Sequence, residues 1–379
     1  MRGVSARSSD QEANLPEALD FTPDAPIRSR AFRIGCVGSG FIMADVHLAA
    51  YHSAGFPVAA IASRSRDKAA AVAERWGIPV VHDTPEQLIA DERVQILDIA
   101  YPPDQQPALI HLALRQPHIR AILAQKPLAL DLATAEALEA ECRAAGKILS
   151  VNQNMRFDQS MRVLKEILDR GSLGTPVLAT IEMRAIPHWQ PFLRDYGRLT
   201  LLNMSIHHLD VLRFLFGEVE EIYTGVHADP RTDFAHKDGI CASTLTFRSG
   251  VMAVSLEDVW SGPRAPGYTG DIYIKWRVEG TEGVAQGTIG WPDYPDGSPS
   301  TLRYSSTIAT GGDWVQPRWS TTWFPDAFAG VMEQVQYALE SGTAPLLSGT
   351  DNLRTMALVE AAYRSVEEHR AVKLAEFGY

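Results

Sequence analysis

The chain has 379 residues, of which 45% are hydrophobic and 21% charged, and its formal net charge is −11. That length predicts two domains, and those proportions are ordinary for a globular protein. A negative balance with no Lys/Arg block argues against a nucleic-acid partner, and the lack of any apolar run of about 18 residues argues against a membrane span.

Residues 1–30 are polar, contain proline and lack the apolar stretch of a secretory signal. They read as a flexible tail, although such an arm could also pack on a partner subunit. Cys36, Cys142 and Cys241 are few and scattered, which fits a reducing, cytoplasmic setting better than a disulfide framework. No HExxH or paired-Cys spacing exists, so no metal is expected.

Around Arg33 the pattern changes. FRIGCVGSG reads as an apolar strand running into a glycine turn, and FIMADVHLAAYHSA as the helix after it. The strand VAAIAS, the helix DKAAAVAERWG stopped by Gly77, and IPVV, PEQLIA and VQILDIA follow. QPALIHLALRQ is helical, AILA is a strand, ATAEALEAECRAAG is a helix ending at Gly146, and KILSVNQ closes the series. Short apolar strands alternating with amphipathic helices predict an α/β Rossmann domain, a doubly wound parallel sheet, over 31–152.

Residues 153–379 read differently. After a helix at SMRVLKEILDR come six segments with period-two alternation, from VLATIEMRAI to GVAQGTIGW, several joined by short turns. They predict a largely antiparallel sheet in an α+β substrate-binding and oligomerisation domain. One helix, 203–216, is inserted among the strands. Two more, AFAGVMEQVQYALESG and DNLRTMALVEAAYRSVEEH, close the chain and could pack back on the first domain.

Gly38-Ser39-Gly40 follows a predicted strand and opens a predicted helix. The first glycine allows the tight turn, the second lets backbone N–H groups approach a pyrophosphate, and the helix N-terminus adds partial positive charge. The third fingerprint position is Met43 rather than a small residue. The second strand ends in Ser63-Arg64, with no acid until Asp67. A carboxylate there would hold the ribose 2′-hydroxyl of NAD, whereas a hydroxyl and a guanidinium would bind a 2′-phosphate. Lys68 could reach the same group. NADP is therefore the expected cofactor, with NAD the alternative.

Gln125-Lys126-Pro127 lies at the carboxyl end of the AILA strand, where open α/β sheets place ligands. A lysine there could hold a substrate hydroxyl and help to move a proton, and it could equally be a surface lysine before a proline. In LLNMSIHHLDVLRFLFG, Asn203, His207 and Asp210 are spaced i, i+4, i+7 on one helical stripe. Such a stripe borders either water or a buried polar site.

Together, Gly38-Ser39-Gly40, Tyr101-Pro102-Pro103, Gln125-Lys126-Pro127, Asn154-Met155-Arg156-Phe157 and Asn203-X-X-X-His207-X-X-Asp210 resemble the glucose–fructose oxidoreductase, inositol dehydrogenase and rhizopine-catabolism (Gfo/Idh/MocA) family. The resemblance runs from residue 33 nearly to the C-terminus. It implies a Rossmann domain joined to an open-faced sheet domain that mediates a homodimer or homotetramer, and an NAD(P)-dependent dehydrogenase of sugars, inositols or related polyols. It further implies that Lys126 and His207 are catalytic, with Asn203 in the place of an aspartate and Gln125 in the place of a glutamate. Phe41, Ile42, Tyr101, Pro102, Gln125 and Lys126 would join Gly38–Gly40, Ser63, Arg64 and Lys68 around the cofactor. His207 would take the proton from a substrate hydroxyl that Lys126 also holds.

Arg156, His188, Trp189, Asp210, Asp258 and Trp260 are further candidates for substrate contact, and each could instead be a packing residue. The tryptophan-rich loop GGDWVQPRWSTTWF reads as core or subunit contact, or as a cover for the pocket. Two other readings stay open: a nicotinamide-binding sensor without turnover, and non-redox sugar chemistry with a recycled, tightly held NAD.

Overall fold

The computed structural model describes residues 20–185, 191–259, 272–290 and 298–379. Six strands, β1 (Ile34–Val37), β2 (Val58–Ala62), β3 (Val81–His82), β4 (Ile96–Ile99), β5 (Ala121–Ala124) and β6 (Ile148–Val151), form one sheet. All run parallel, in the order β3-β2-β1-β4-β5-β6. Every residue of β1, β4 and β5 is buried, as expected when uninterrupted apolar runs are covered on both faces. The strand order reverses between β1 and β4, which opens a crevice at their carboxyl ends.

Helices α1 (Leu48–Ala54), α2 (Arg66–Trp76), α3 (Pro85–Ile89), α4 (Gln106–Leu114) and α5 (Leu132–Ala144) connect these strands. Their ends are set by the sequence. Ser65, Thr84 and Asp131 cap α2, α3 and α5 through side-chain oxygens, and Gly55 and Gly77 end α1 and α2 in the left-handed conformation.

The second half builds on α6 (Gln159–Asp169), β7 (Pro176–Ala185), α7 (Ile206–Phe216), β8 (Val219–His227), β9 (Ile240–Phe247), β10 (Met252–Val259), β11 (Tyr273–Gly280), β12 (Gly283–Ile289), β13 (Thr301–Ser306), β14 (Trp314–Val315), α8 (Ala327–Ser341), α9 (Gly349–Glu368) and β15 (Val372–Lys373). The nine strands form a sheet ordered β14-β13-β12-β11-β7-β10-β9-β8-β15. Only β7 and β10 pair in parallel. Ile181, Trp276, Leu302 and Tyr304 point into the core, whereas Thr180, Lys275, Arg277, Thr301 and Arg303 are on or near the open face. Helices α6, α7 and α9 cover the inner face, and α8 and α9 also reach the first sheet at β5 and β6. Among the described residues no helix is long and apolar enough to cross a membrane.

Two details depart from the sequence reading. The segment read as one helix over 203–216 begins as a π-helical turn, Leu201–Ser205, and becomes α7 only at Ile206. Residues 20–30, read as part of a flexible tail, lie along α6 and α8. Arg162 donates to the Pro23 carbonyl at 2.9 Å, Gln159 to Asp24 at 2.9 Å, and Arg28 forks onto Glu333 at 2.8 and 3.0 Å. A bidentate Arg–carboxylate pair with a buried acid holds this strap in place.

Candidate active site

The glycine turn leaves β1 with Gly38 at φ +128, and a Cβ there would stand 2.9 Å from the Ala100 carbonyl oxygen. Only glycine meets both conditions. A Cβ at Gly40 would meet nothing within 4 Å, so the backbone is open on that side to a ligand. The following helix starts as a π-helical turn, Ile42–His47, with Phe41 just before it. Met43 is fully buried there. A methionine in place of the usual small residue needs room between helix and sheet, and the wider turn provides it.

At the end of β2 the Ser63 hydroxyl is consumed locally. It receives the Ser39 hydroxyl at 2.8 Å and donates to the Ser65 carbonyl at 2.7 Å, and Ser63 is 4% exposed. It shapes the turn, so the cationic groups carry any contact with a phosphate. Arg64 is exposed, has its guanidinium 5.8 Å from the centre of the Tyr101 ring, and makes no ion pair among the described residues. Lys68 is exposed in the first turn of α2, while Arg66 is tied to Asp83 at 2.6 Å. Tyr101 and Pro102 stand half-buried beyond β4.

The loop after β5 is pinned by the buried Gln106 on α4. Its amide nitrogen donates to the Gln125 and Pro127 carbonyls at 3.1 and 3.0 Å, and its oxygen accepts from the Gln125 N–H at 2.6 Å. The Lys126-Pro127 peptide is cis. Lys126 Nζ donates to the Asn203 carbonyl at 2.6 Å and reaches its side-chain oxygen at 3.4 Å. Asn203 thus holds the lysine through both of its oxygens. Burial pushes the Lys126 ammonium down to about 7.

His207, on the first turn of α7, is buried. Burial, then the Lys126 charge, then His208, hold it well below the ordinary histidine range, so the imidazole is neutral at neutral pH. Its Nδ1 has no partner among the described residues. The ring meets Trp323 edge-on at 6.2 Å between centroids, and Trp323 is fixed by donating to Asn154 at 3.1 Å. Beside Asn154, both polar atoms of the buried Gln153 amide lack partners among the described residues. A lysine and a histidine that can both exchange protons thus share one region with unsatisfied polar groups.

Two substrate candidates do not belong there. Arg156 grips Asp210 with two 2.6 Å bonds and Asp351 with a third, and Thr355 donates to Asp210 at 2.7 Å. Arg156 and Asp210 are 4% and 1% exposed, so this is a structural ion pair between the 154–157 turn, α7 and α9, with no face left for a substrate. Asp258 is paired with Arg184 and Arg231. His188, Trp189 and Trp260 lie outside the described residues.

Sequence reasoning missed His47, Asp98, Gln106, Asn152 and Gln153. No periodic signal marks them: the first four act through partners on other elements, and the Gln153 amide has none among the described residues. Trp323 sat within a recognised tryptophan-rich loop, but nothing singled it out as the one against His207.

A family model described as "Oxidoreductase family, NAD-binding Rossmann fold" matches residues 32–153, and one described as "GFO/IDH/MocA C-terminal domain" matches 161–286. A D-apiose dehydrogenase of Paraburkholderia graminis is 28% identical over 91% of this chain and 90% of its own length. A myo-inositol 2-dehydrogenase of Thermotoga maritima is 26% identical over 84% and 91%. Among solved structures, an oxidoreductase from Agrobacterium radiobacter in complex with NAD+, L-tartaric acid and magnesium superposes with a TM-score of 0.77, at 24% identity over 91% of this chain and 99% of that one. An aldose-aldose oxidoreductase from Caulobacter crescentus gives 0.76, at 21% identity over 91% and 100%. The last two show the fold alone. With both domains matched over well over half of its length, the chain belongs to the Gfo/Idh/MocA oxidoreductase family.

Proposed function

We propose that this protein is a dehydrogenase that moves a hydride between NADP, in preference to NAD, and a hydroxyl-bearing carbon of a sugar, inositol or related polyol. The observation that carries the reading is the Lys126–Asn203–His207 grouping at the carboxyl end of β5, with both titratable groups held below their usual ranges by burial. Burial brings Lys126 into the range where a proton is exchanged at neutral pH, and it leaves His207 neutral, with a lone pair to accept one. The names of the apiose and inositol dehydrogenase relatives favour a polyhydroxylated substrate.

The residues present fit a dinucleotide. Gly38 and Gly40 leave the turn without side chains on either side of Ser39, Phe41 and Ile42 begin the helix over it, and Tyr101, Pro102 and Gln125 flank the crevice. Arg64 and Lys68, free of acidic partners among the described residues, support a 2′-phosphate and hence NADP. The unpaired Gln153 amide is a ready partner for a polar group of cofactor or substrate. When bound, the nicotinamide accepts or returns the hydride. The neutral His207 takes the hydroxyl proton in oxidation. Lys126 donates a hydrogen bond to the same oxygen and stabilises the alkoxide as it forms. Asn203 holds the lysine on that side.

The open sheet face, where Val177, Tyr223 and Met252 are about half-exposed, supports a homodimer or homotetramer. The three buried free thiols fit a cytoplasmic, reducing setting.

The test is reduced-nicotinamide absorbance with a panel including apiose, myo-inositol and common aldoses, each with NADP and NAD. Substrate-dependent signal that favours NADP and disappears in Lys126→Ala is the expected result. A preference for NAD overturns the cofactor choice alone. Silence across the panel despite tight cofactor binding overturns the dehydrogenase reading in favour of a sensor.

A further inference from the structure

Beneath the Lys126 loop lies a buried polar cluster that shares only Gln125 with the groups described above. His47, fully buried at the end of the π-helical turn, places Nδ1 2.8 Å from Asp98 Oδ2 on β4. Its Nε2 lies 2.8 Å from the side-chain nitrogen of Gln125, after β5, and 3.0 Å from that of Asn152, after β6. Tyr51 on α1 donates to the same Asp98 oxygen at 2.7 Å. The Phe328 ring of α8 closes the cage, 5.2 Å from the imidazole.

We infer that His47 is a positioning residue for Lys126: a neutral imidazole with its single proton on Nδ1, which ties the phosphate-binding helix to the ends of three adjacent strands. The amides of Gln125 and Asn152 both turn their nitrogens toward Nε2. Two amide N–H groups aimed at Nε2 require a bare nitrogen, so the ring proton must sit on Nδ1 and be donated to Asp98. The other titratable groups around it are Tyr51 and Cys36, both pushed upward chiefly by burial and therefore protonated. Among the described residues, Asp98 is then the only carboxylate in the cluster.

Gln125 acquires a purpose in this arrangement. A glutamate at that position would place a carboxylate on Nε2 and force a second proton onto the ring, giving an imidazolium between two acids. The net charge of the cluster would be −1 either way. Gln125 therefore removes no charge from beneath the catalytic lysine.

The inference rests on the dehydrogenase reading only for its catalytic consequence, so its first test uses cofactor-free protein. Histidine-selective 15N NMR, with His47 assigned by His47→Gln, should show one protonated nitrogen, Nδ1, and a bare Nε2 at pH 7. In Gln125→Glu both nitrogens should be protonated at pH 7. A wild-type ring protonated on Nε2, or on both nitrogens, overturns the inference whatever the enzyme catalyses. In turnover, His47→Leu should lower kcat on the order of a hundredfold, as misplacement by about 1 Å does, with KM for the cofactor little changed. His47→Gln, which keeps a donor and an acceptor, should recover part of that loss. Equal losses in both variants, or a loss in KM alone, would reduce His47 to packing.

Discussion

Replacing Lys126 by methionine keeps most of the side chain's volume and removes the ammonium that burial disfavours. The lysine falls from 10.5 to about 7 in the folded protein. Each pH unit of such a difference corresponds to about 1.36 kcal/mol, so holding the charged form in the site costs the folded state roughly 3–5 kcal/mol. Between pH 7 and 10.5 the unfolded chain carries a proton on this residue that the folded protein does not, so this term raises stability as pH rises. Below pH 7 both states are protonated and the full cost is present. Lys126→Met should therefore be more stable than wild type at pH 6, by that amount less about 1 kcal/mol for the lost bond to the Asn203 carbonyl. The advantage should shrink by about 2–3 kcal/mol from pH 7 to 9. Urea midpoints by tryptophan fluorescence at pH 6, 7, 8 and 9 measure this directly. An advantage that stays constant with pH, or grows, would refute the argument that burial depresses the lysine.

Other substitutions test other parts of the site. Arg64→Ala should weaken NADP binding about tenfold to a hundredfold while leaving NAD within a factor of about three, by calorimetric titration, because one charged hydrogen bond is worth about 1.5–3 kcal/mol. Gly38→Ala adds a Cβ 2.9 Å from a backbone oxygen at φ +128; cofactor binding should fall on the order of a hundredfold, and the apo protein should melt several degrees lower. Arg156→Ala strands Asp210 in the interior and should cost about 3–5 kcal/mol in denaturant unfolding; a loss under 1 kcal/mol would return Arg156 to the list of binding residues. For His207→Asn, kcat should fall at least a hundredfold with cofactor affinity retained in fluorescence titration.

The first sheet was legible because its strands are short apolar runs and its helices carry their own caps and stops, such as Ser65 and Gly77. Position alone, the end of a parallel strand and the face of a helix, left Lys126 and His207 open between a site and a surface or packing role, and the family resemblance singled them out. The helical spacing of Asn203, His207 and Asp210 was misleading at its last member. A stripe on a helix wheel says which residues share a side, and Asp210 turned out to be claimed by Arg156 from outside the helix. The π-helical turns at Ile42–His47 and Leu201–Ser205 leave no mark on hydrophobic periodicity, since they shift register by a single residue. Residues 20–30 read as tail because they are polar and lack periodicity. Their bonds go to partners well over a hundred positions away, and a local pattern carries no trace of these.

The placement of α8 has a consequence for how the chain is made. The Val151 N–H donates to the Leu347 carbonyl, the Ser150 hydroxyl to that same oxygen, Gln334 to Ser150, and α8 lies against β5 and β6. Part of the cover of the first sheet is thus encoded about two hundred residues downstream of it. At about 5–20 residues per second, a ribosome needs roughly 10–40 s to deliver that cover after β6 has emerged. During that interval the nascent parallel sheet exposes an apolar face that nothing yet synthesised can bury.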